Sequence, residues 1–538
     1  MIGILKDDFG WQQIFEQEGI IYNILSNIPD EILGPIIVNR NLSELEASKI
    51  RNLLNKGLCI LTDFPTLEKI ITDFTYKPVK IPYILSDGSD IFNNITAIDL
   101  ELNGHKTTPV IYQSNFGKGY IIALPFDVNQ AICDTRNERK PFYYPSRKYP
   151  NEITSVVSKG EVRKLVVNCI RKLYEKMNLP YVHLWYFPKD YRSVFAFRVD
   201  TDFGPENSLQ ATFDLEERTG VKFTYFVNTK VHPAPLYIEA EKETKEKSFH
   251  KQTLEHRCGA SIQLANNQRD FQIHCYIHKV FKDYQRNYDN IKKAQEILEN
   301  SGVKPIGFVS PFGFWNENLQ KAMEDCKIQY SSEFSLAYDD LPFFPIIENR
   351  KSNVLQLPVH PICIGRLVHA GLTLEKCIDY YKRYFEKQLQ ANEPLLIYDH
   401  PHRIAQFPQV FYEILMLGKK LPLVWVTNMS EFYHWWKERL LALTNTQWQV
   451  ESNKINIKSS KQNDKISLHI TTPDQQETFL PLAQGIYNLK DLSYKSILMT
   501  KRDDITNYPK LKTHRTKLQI KFYRNIDKIL ELFETTKE

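Results

Sequence analysis

The sequence has no run of roughly 18 consecutive apolar residues, so it offers no membrane-spanning helix. Its first residues, MIGILKDDFGWQQIFEQEG, lack the basic start and apolar core of a secretory leader, and a cytoplasmic protein is the expectation. There is no CxxC pair. The eight cysteines (Cys59, Cys133, Cys169, Cys258, Cys275, Cys326, Cys363 and Cys377) are scattered, which argues for buried free thiols rather than a disulfide framework. Charge of one sign is also missing: 69 basic against 64 acidic residues leave a net +5, too little to suggest a nucleic-acid partner. Aromatics, by contrast, are plentiful at 12%, fitting either filled cores or sugar-stacking surfaces. At 538 residues the chain exceeds one compact core, and about three domains are expected.

Residues 35–39 (PIIVN) read as a buried strand and 42–55 as a helix with Ser43 near its start. Gly57 closes that helix and 58–61 resumes as a strand. Strands at 109–112 and 119–124 flank a turn at 115–117, and a helix is expected over 161–176. From 186 to 440, short apolar strands (194–199, 222–227, 306–309, 394–398, 422–426) alternate with amphipathic helices (288–301, 316–326, 429–440). That is the signature of a β/α barrel or doubly wound sheet. Beyond about 445 the polar–apolar alternation of QWQVESNKINIKSS, KISLHITTP and LQIKFYR predicts a small β-rich region. The charged stretch 239–247 reads as solvated.

Three clusters carry chemistry. An apolar strand runs into Asp200-Thr201-Asp202 before Gly204. Carboxylates two apart lie on one side of an extended chain and are costly to bury unpaired. His274 and His278 are four apart, a spacing that on a helical turn would aim both imidazoles at one ion. The strand at 396–399 ends in His400-Pro401-His402-Arg403, where Pro401 stops strand pairing. Taken singly, each also fits a solvated strand end, a structural histidine or a polar loop. Two histidines and a carboxylate, however, form the ligand set of many open catalytic metal sites.

In order and spacing, these pieces resemble the polysaccharide-deacetylase (NodB, carbohydrate esterase family 4) domain. Asp200/Asp202 match its first motif, His274/His278 its HxxxH, and Phe308-Val309-Ser310-Pro311-Phe312-Gly313 its aromatic-Arg-x-Pro-aromatic-Gly loop except at the arginine. Leu396 to His400 matches its last motif, while LEERTGVKFTYFVNT and VWVTNMSEFYHWW look like its flanking elements; about 250 residues are covered. The stretch GKGYIIALPFD gives the N-terminal part a looser resemblance to flavodoxin-like class I glutamine amidotransferases. No cysteine there stands on the Gly-flanked elbow a nucleophile needs, so that part is expected to be non-catalytic.

The two resemblances imply a flavodoxin-like α/β domain over 1–185 and a distorted (β/α) barrel of NodB type over 186–442, and the alternation beyond them adds a β-rich domain over 443–538, an α/β architecture of three parts. The deacetylase resemblance implies that Asp202, His274 and His278 hold one divalent ion, zinc, and that Asp200 is the base. The Phe312 backbone N–H holds the oxyanion, and His400, with His402 as its rival, is the acid. Val309 removes the arginine that would pair with the base, leaving Arg198 and Arg403 as substitutes. The family's fourth motif has its nearest match at 331–344, with Glu333, Asp339 or Asp340 as the acid. The implied function is N-deacetylation of an amino-sugar glycan, on grounds of localisation an intracellular precursor, or hydrolysis of another non-peptide amide such as a ureide. The carbohydrate is the expected partner. The alternative is a non-catalytic glycan- or metal-binding protein, its metal closed off by a fourth ligand such as His256 or Cys275.

Overall fold

The computed structural model describes residues 1–108, 110–142, 150–202, 208–230, 269–451, 453–460 and 463–497. The charged stretch 239–247, the residues Gly204, His256 and Cys258, and the C-terminal segment containing LQIKFYR lie outside the described residues.

The N-terminal sheet runs in the order Tyr22–Ile24, Ile2–Ile4, Ile36–Val38, Cys59–Asp63, Gly119–Leu124, Tyr112–Phe116. The first five strands are parallel and the last is antiparallel. Helix Glu44–Lys56 shows why the chain turns where it does. The Ser43 hydroxyl accepts from the Glu46 N–H, the Glu46 carboxylate accepts from the Ser43 N–H, and Gly57 ends the helix at φ +114°. The strand expected at 109–112 instead runs Tyr112–Phe116, with its tight turn at Gly117 and Lys118. Cys59 is buried in its strand, where burial lifts its thiol to about 11.

The central sheet is eight-stranded and wholly parallel, a curled half-barrel. Its order is Leu355–Gln356, Tyr330–Ser331, Gly307–Phe308, Asp270–Cys275, Phe223–Asn228, Ser193–Thr201, Leu395–Asp399, with Val424–Val426 also pairing to Ser193–Thr201. Side-chain alternation sorts strand Ser193–Thr201. Phe195, Phe197 and Val199 pack outward with Leu209, Phe213, Phe411 and Ile414 of the surrounding helices. Val194 and Ala196 face the interior with Phe226, Val309, Tyr330 and Tyr398, and Arg198 and Asp200 continue that inner row. The edges approach each other where the His360 N–H donates to the Leu396 carbonyl (2.8 Å).

The third region is β-rich. Thr446–Glu451, Lys454–Ser459 and Gly485–Asn488 form one small sheet. Strand Tyr181–Leu184, which precedes the barrel in sequence, pairs antiparallel with Asn463–Thr471 in another. None of the helices among the described residues is long and apolar enough to cross a membrane.

A buried polar junction joins the three regions. Arg439 donates to the carbonyls of Trp185 (2.7 Å), Leu184 (2.8 Å), Gln17 and Glu16, satisfying the C-terminal end of helix Phe9–Glu18. Arg163 binds Asp340 (2.7 Å) and Glu393, all essentially buried. Arg163→Met would strand two carboxylates without their cation, and a loss of about 3–5 kcal/mol in urea unfolding is expected. A loss below about 1 kcal/mol would show that the junction is not held by this ion-pair cluster.

Candidate metal centre

Parallel register fixes which residues share one rim. Thr201 pairs with Val227, Val227 with Ile273, and Ile273 with Phe308, while Val199 pairs with Asp399. The residues that follow, Asp202, His274, Val309 and His400, therefore emerge together at the C-terminal mouth, where barrel sites are built. His274 Nε2 lies 2.7 Å and His278 Nε2 3.0 Å from Asp202 Oδ1. The donor atoms of these three residues all lie within 4.8 Å of one another. The pair does not sit on a helical turn as its spacing suggested. His274 ends strand Asp270–Cys275, and the chain then bends so that His278 returns toward it, ring centroids 5.0 Å apart. The bend is held by Asn290, whose side-chain oxygen accepts from the N–H groups of Tyr276 and Ile277.

The donor chemistry fits a cation. His274 Nδ1 meets the Val309 carbonyl at 2.8 Å, and a carbonyl only accepts, so Nδ1 carries the hydrogen. In a neutral ring, Nε2 then presents a lone pair to a carboxylate oxygen that also has only lone pairs. A proton or a metal ion must lie between them. The Val309 carbonyl thus orients the imidazole, while its side chain fills the barrel interior.

Asp200 is buried and accepts from Arg198 through both oxygens, Nε–Oδ1 2.7 Å and Nη2–Oδ2 2.6 Å. Arg198 Nη1 donates to the Ser332 carbonyl (2.6 Å), and the guanidinium lies 4.9 Å from the Tyr398 ring centroid. Of the two candidate substitutes, Arg198 is thus the partner of Asp200, because residues two apart on a strand share a face. Arg403 instead bonds Gln406.

His400 caps the short helix Pro401–Gln406, with Nε2 3.2 Å from Asp202 Oδ2 and Nδ1 3.4 Å from Asp399 Oδ1. Burial opposes its charge, but Asp202, with hydrogen bonds to Asp202, Asp399 and Cys363, lifts it well above the ordinary imidazole range. Burial likewise opposes the charge on Asp202, yet His400 and the hydrogen bonds of His274 and His278 hold its carboxyl well below the usual range. His402 stands one step away, ring centroids 5.7 Å apart, and is lowered by burial and by His400.

The acids expected at 331–344 do not face His400. Glu333 accepts from Ser331, Gln356 and the Ser310 N–H, Asp339 meets His360, and Asp340 meets Arg163. The carboxylate beside His400 is Asp399, which sequence reading passed over because adjacent strand residues point to opposite faces. Loop Pro311–Gly313 places Phe312 at φ +57°, its ring 4.9 Å from that of His278. Cys275 is buried, its thiol pushed well above the ordinary range by burial.

No family model matches the chain. No curated protein matches either. Among solved structures, the chain is similar to a protein assigned as a polysaccharide deacetylase from Mycobacterium smegmatis, at 18% identity and TM-score 0.36, over 48% of this chain and 94% of that one. It is similar to Agd3, described as a novel carbohydrate deacetylase, at 10% identity and TM-score 0.37, over 90% and 97% of the two chains. A carbohydrate esterase family 4 pseudoenzyme from Bacillus anthracis aligns at 13% identity and TM-score 0.30, over 46% and 68%. At identities and TM-scores this low they carry nothing into the reading of the site, which rests on the residues themselves.

Proposed function

We propose that the chain is a metal-dependent hydrolase of non-peptide amides that removes the N-acetyl group from an amino-sugar-containing glycan. The observation that carries this reading is the facing of lone pairs between Asp202 and His274 beside an arginine-paired Asp200 and a carboxylate-backed His400. Asp202, His274 and His278 hold one divalent ion, zinc being suited to two imidazoles and a carboxylate. When bound, the ion supplies Lewis acidity to the acyl carbonyl and to water. Asp200, held through both oxygens by Arg198, accepts the proton of the attacking water. The Phe312 N–H, on a loop fixed by Ser310–Glu333 and Gly313–Ser335 hydrogen bonds, receives the developing oxyanion. His400 delivers the proton to the departing amine.

The five-strand parallel order of the N-terminal sheet supports reading 1–185 as a flavodoxin-like, non-catalytic domain. Regions 186–442 and 443–538 are read as the barrel and the β-rich domain. A closed, structural metal site would need a fourth protein ligand. Among the described residues, the donor atoms of Asp202, His274 and His278 gather within 4.8 Å of one another in a group that does not include Cys275, while His400 approaches the other oxygen of Asp202 at 3.2 Å.

Acetate release from N-acetylated chito-oligosaccharide by the zinc-loaded protein tests the reaction. Release that is lost in Asp200→Ala is expected; zinc bound at the site with no acetate from any N-acetylated sugar would overturn the reading. The loop gives a second test. At Gly313, φ is +63° and an added Cβ would lie 2.4 Å from the Phe334 ring. Gly313→Ala is therefore expected to lower kcat about 100-fold with metal content unchanged. An unchanged kcat would remove the loop from the mechanism.

A further inference from the structure

The hairpin Asn137–Pro141 with Asn151–Ser155 belongs to the N-terminal third of the chain yet braces the barrel mouth. Its Ser155 N–H donates to the Phe334 carbonyl (3.3 Å), and Phe142 packs edge-on against Tyr338 and His360. From the same hairpin Glu152, buried at 4% exposure, reaches Arg366, Oε2 to Nε 2.5 Å. A buried carboxylate needs its cation, so this contact fixes the guanidinium in place.

Arg366 lies near Tyr398 and Cys363, both neighbours of His400. Its helix, Ile364–His369, is anchored by the Ile364 N–H donating to Asp399 Oδ2 (2.7 Å). The preceding residue, Cys363, has its sulfur within 4.8 Å of ligand atoms of Asp399 and His400. Arg403, from the helix after His400, lies across Gly365, its Nε 3.3 Å from where a Cβ would stand. Two guanidinium groups thus flank the acid side of the mouth. Asp399 faces His400, and Glu152 is set against Arg366 and Arg139. Arg366 commits Nε to Glu152 while its side chain keeps 37% exposure.

We propose that Arg366, positioned by Glu152 across the junction of the N-terminal region and the barrel, is a specificity-determining residue. It binds an oxyanion, carboxylate or phosphate, carried by the substrate glycan near the acyl group to be removed. The inference rests on the deacetylase reading for the identity of the substrate, but its binding prediction does not. A guanidinium offers paired N–H donors matched to such an anion, and the pairing strengthens when water is excluded.

The test uses the full chain with neutral, uronate-bearing and phosphate-bearing N-acetylated oligosaccharides, reading both acetate release and calorimetric binding. At low salt, kcat/KM for an anionic substrate should exceed that for the neutral one at least tenfold, and the preference should shrink in 0.5 M salt. Arg366→Gln should abolish the preference through KM with metal content as in the native protein, although stranding buried Glu152 should lower its melting temperature. Arg366→Lys, which keeps a cation for Glu152, should restore part of the preference. Whichever anion is preferred names the source. The same preference in native and Arg366→Gln protein, or none in the native protein, overturns the proposal while leaving the deacetylase reading intact. If no substrate yields acetate but the native protein binds the anionic sugar at least tenfold more tightly than Arg366→Gln, the anion site stands and the deacetylase reading falls. Equal binding by the two sinks the anion site.

Discussion

Asp202→Ala and His274→Ala are each expected to abolish stoichiometric binding of a divalent ion and to lower acetate release at least a thousandfold. The size follows from what is removed. Each variant deletes one of three donors and leaves the other two without the geometry that made the ion's site. Loading is also expected to release protons. Asp202 meets His274, His278 and His400 at 2.7–3.2 Å, and a dication binds only ligand atoms that are free of protons. Apparent affinity should therefore rise with pH, by up to about tenfold per pH unit for each proton released. An affinity independent of pH between 5 and 8, or a His274→Ala protein that still binds one equivalent, would contradict this.

The second large effect concerns Asp200. Asp200→Asn is expected to lower kcat by about 10²–10⁴-fold, the usual span for losing a general base, with the ion still bound. Arg198 complicates the variant, because it is buried and Asp200 is its carboxylate partner. The single substitution leaves a buried cation uncompensated and should cost about 3–5 kcal/mol of stability. Arg198→Met combined with Asp200→Asn removes both charges and should recover most of that stability without recovering activity. Activity that returns with stability would show that Asp200 acts only through folding.

How legible this was depends on the residue. Helix Glu44–Lys56 was readable to within two residues, because Ser43, Glu46 and Gly57 are local signals with local causes. The strands leading to Asp200 and His400 were likewise readable, since a buried parallel strand is a continuous apolar run. The histidine spacing suggested a helical turn, whereas a strand followed by a bend brings the rings together. Spacing alone does not distinguish these, and the deciding residue, Asn290, comes from a later helix. Arg198 was legible only as one of two arginines, and its direction became plain once the inner row of the strand was known. Asp399 was hidden by strand alternation, and the partners of Asp339 and Asp340 by contacts that span distant parts of the chain. Strand Tyr181–Leu184 pairs with residues nearly 290 positions later, a non-local choice for which local periodicity holds no signal.

The most direct test of the account is an anomalous difference map at the zinc edge from crystals of the full chain grown with zinc. The account predicts one strong peak within bonding distance of Asp202, His274 Nε2 and His278 Nε2, with Asp200 and His400 on the open side. A peak elsewhere, or none at this mouth, would contradict it.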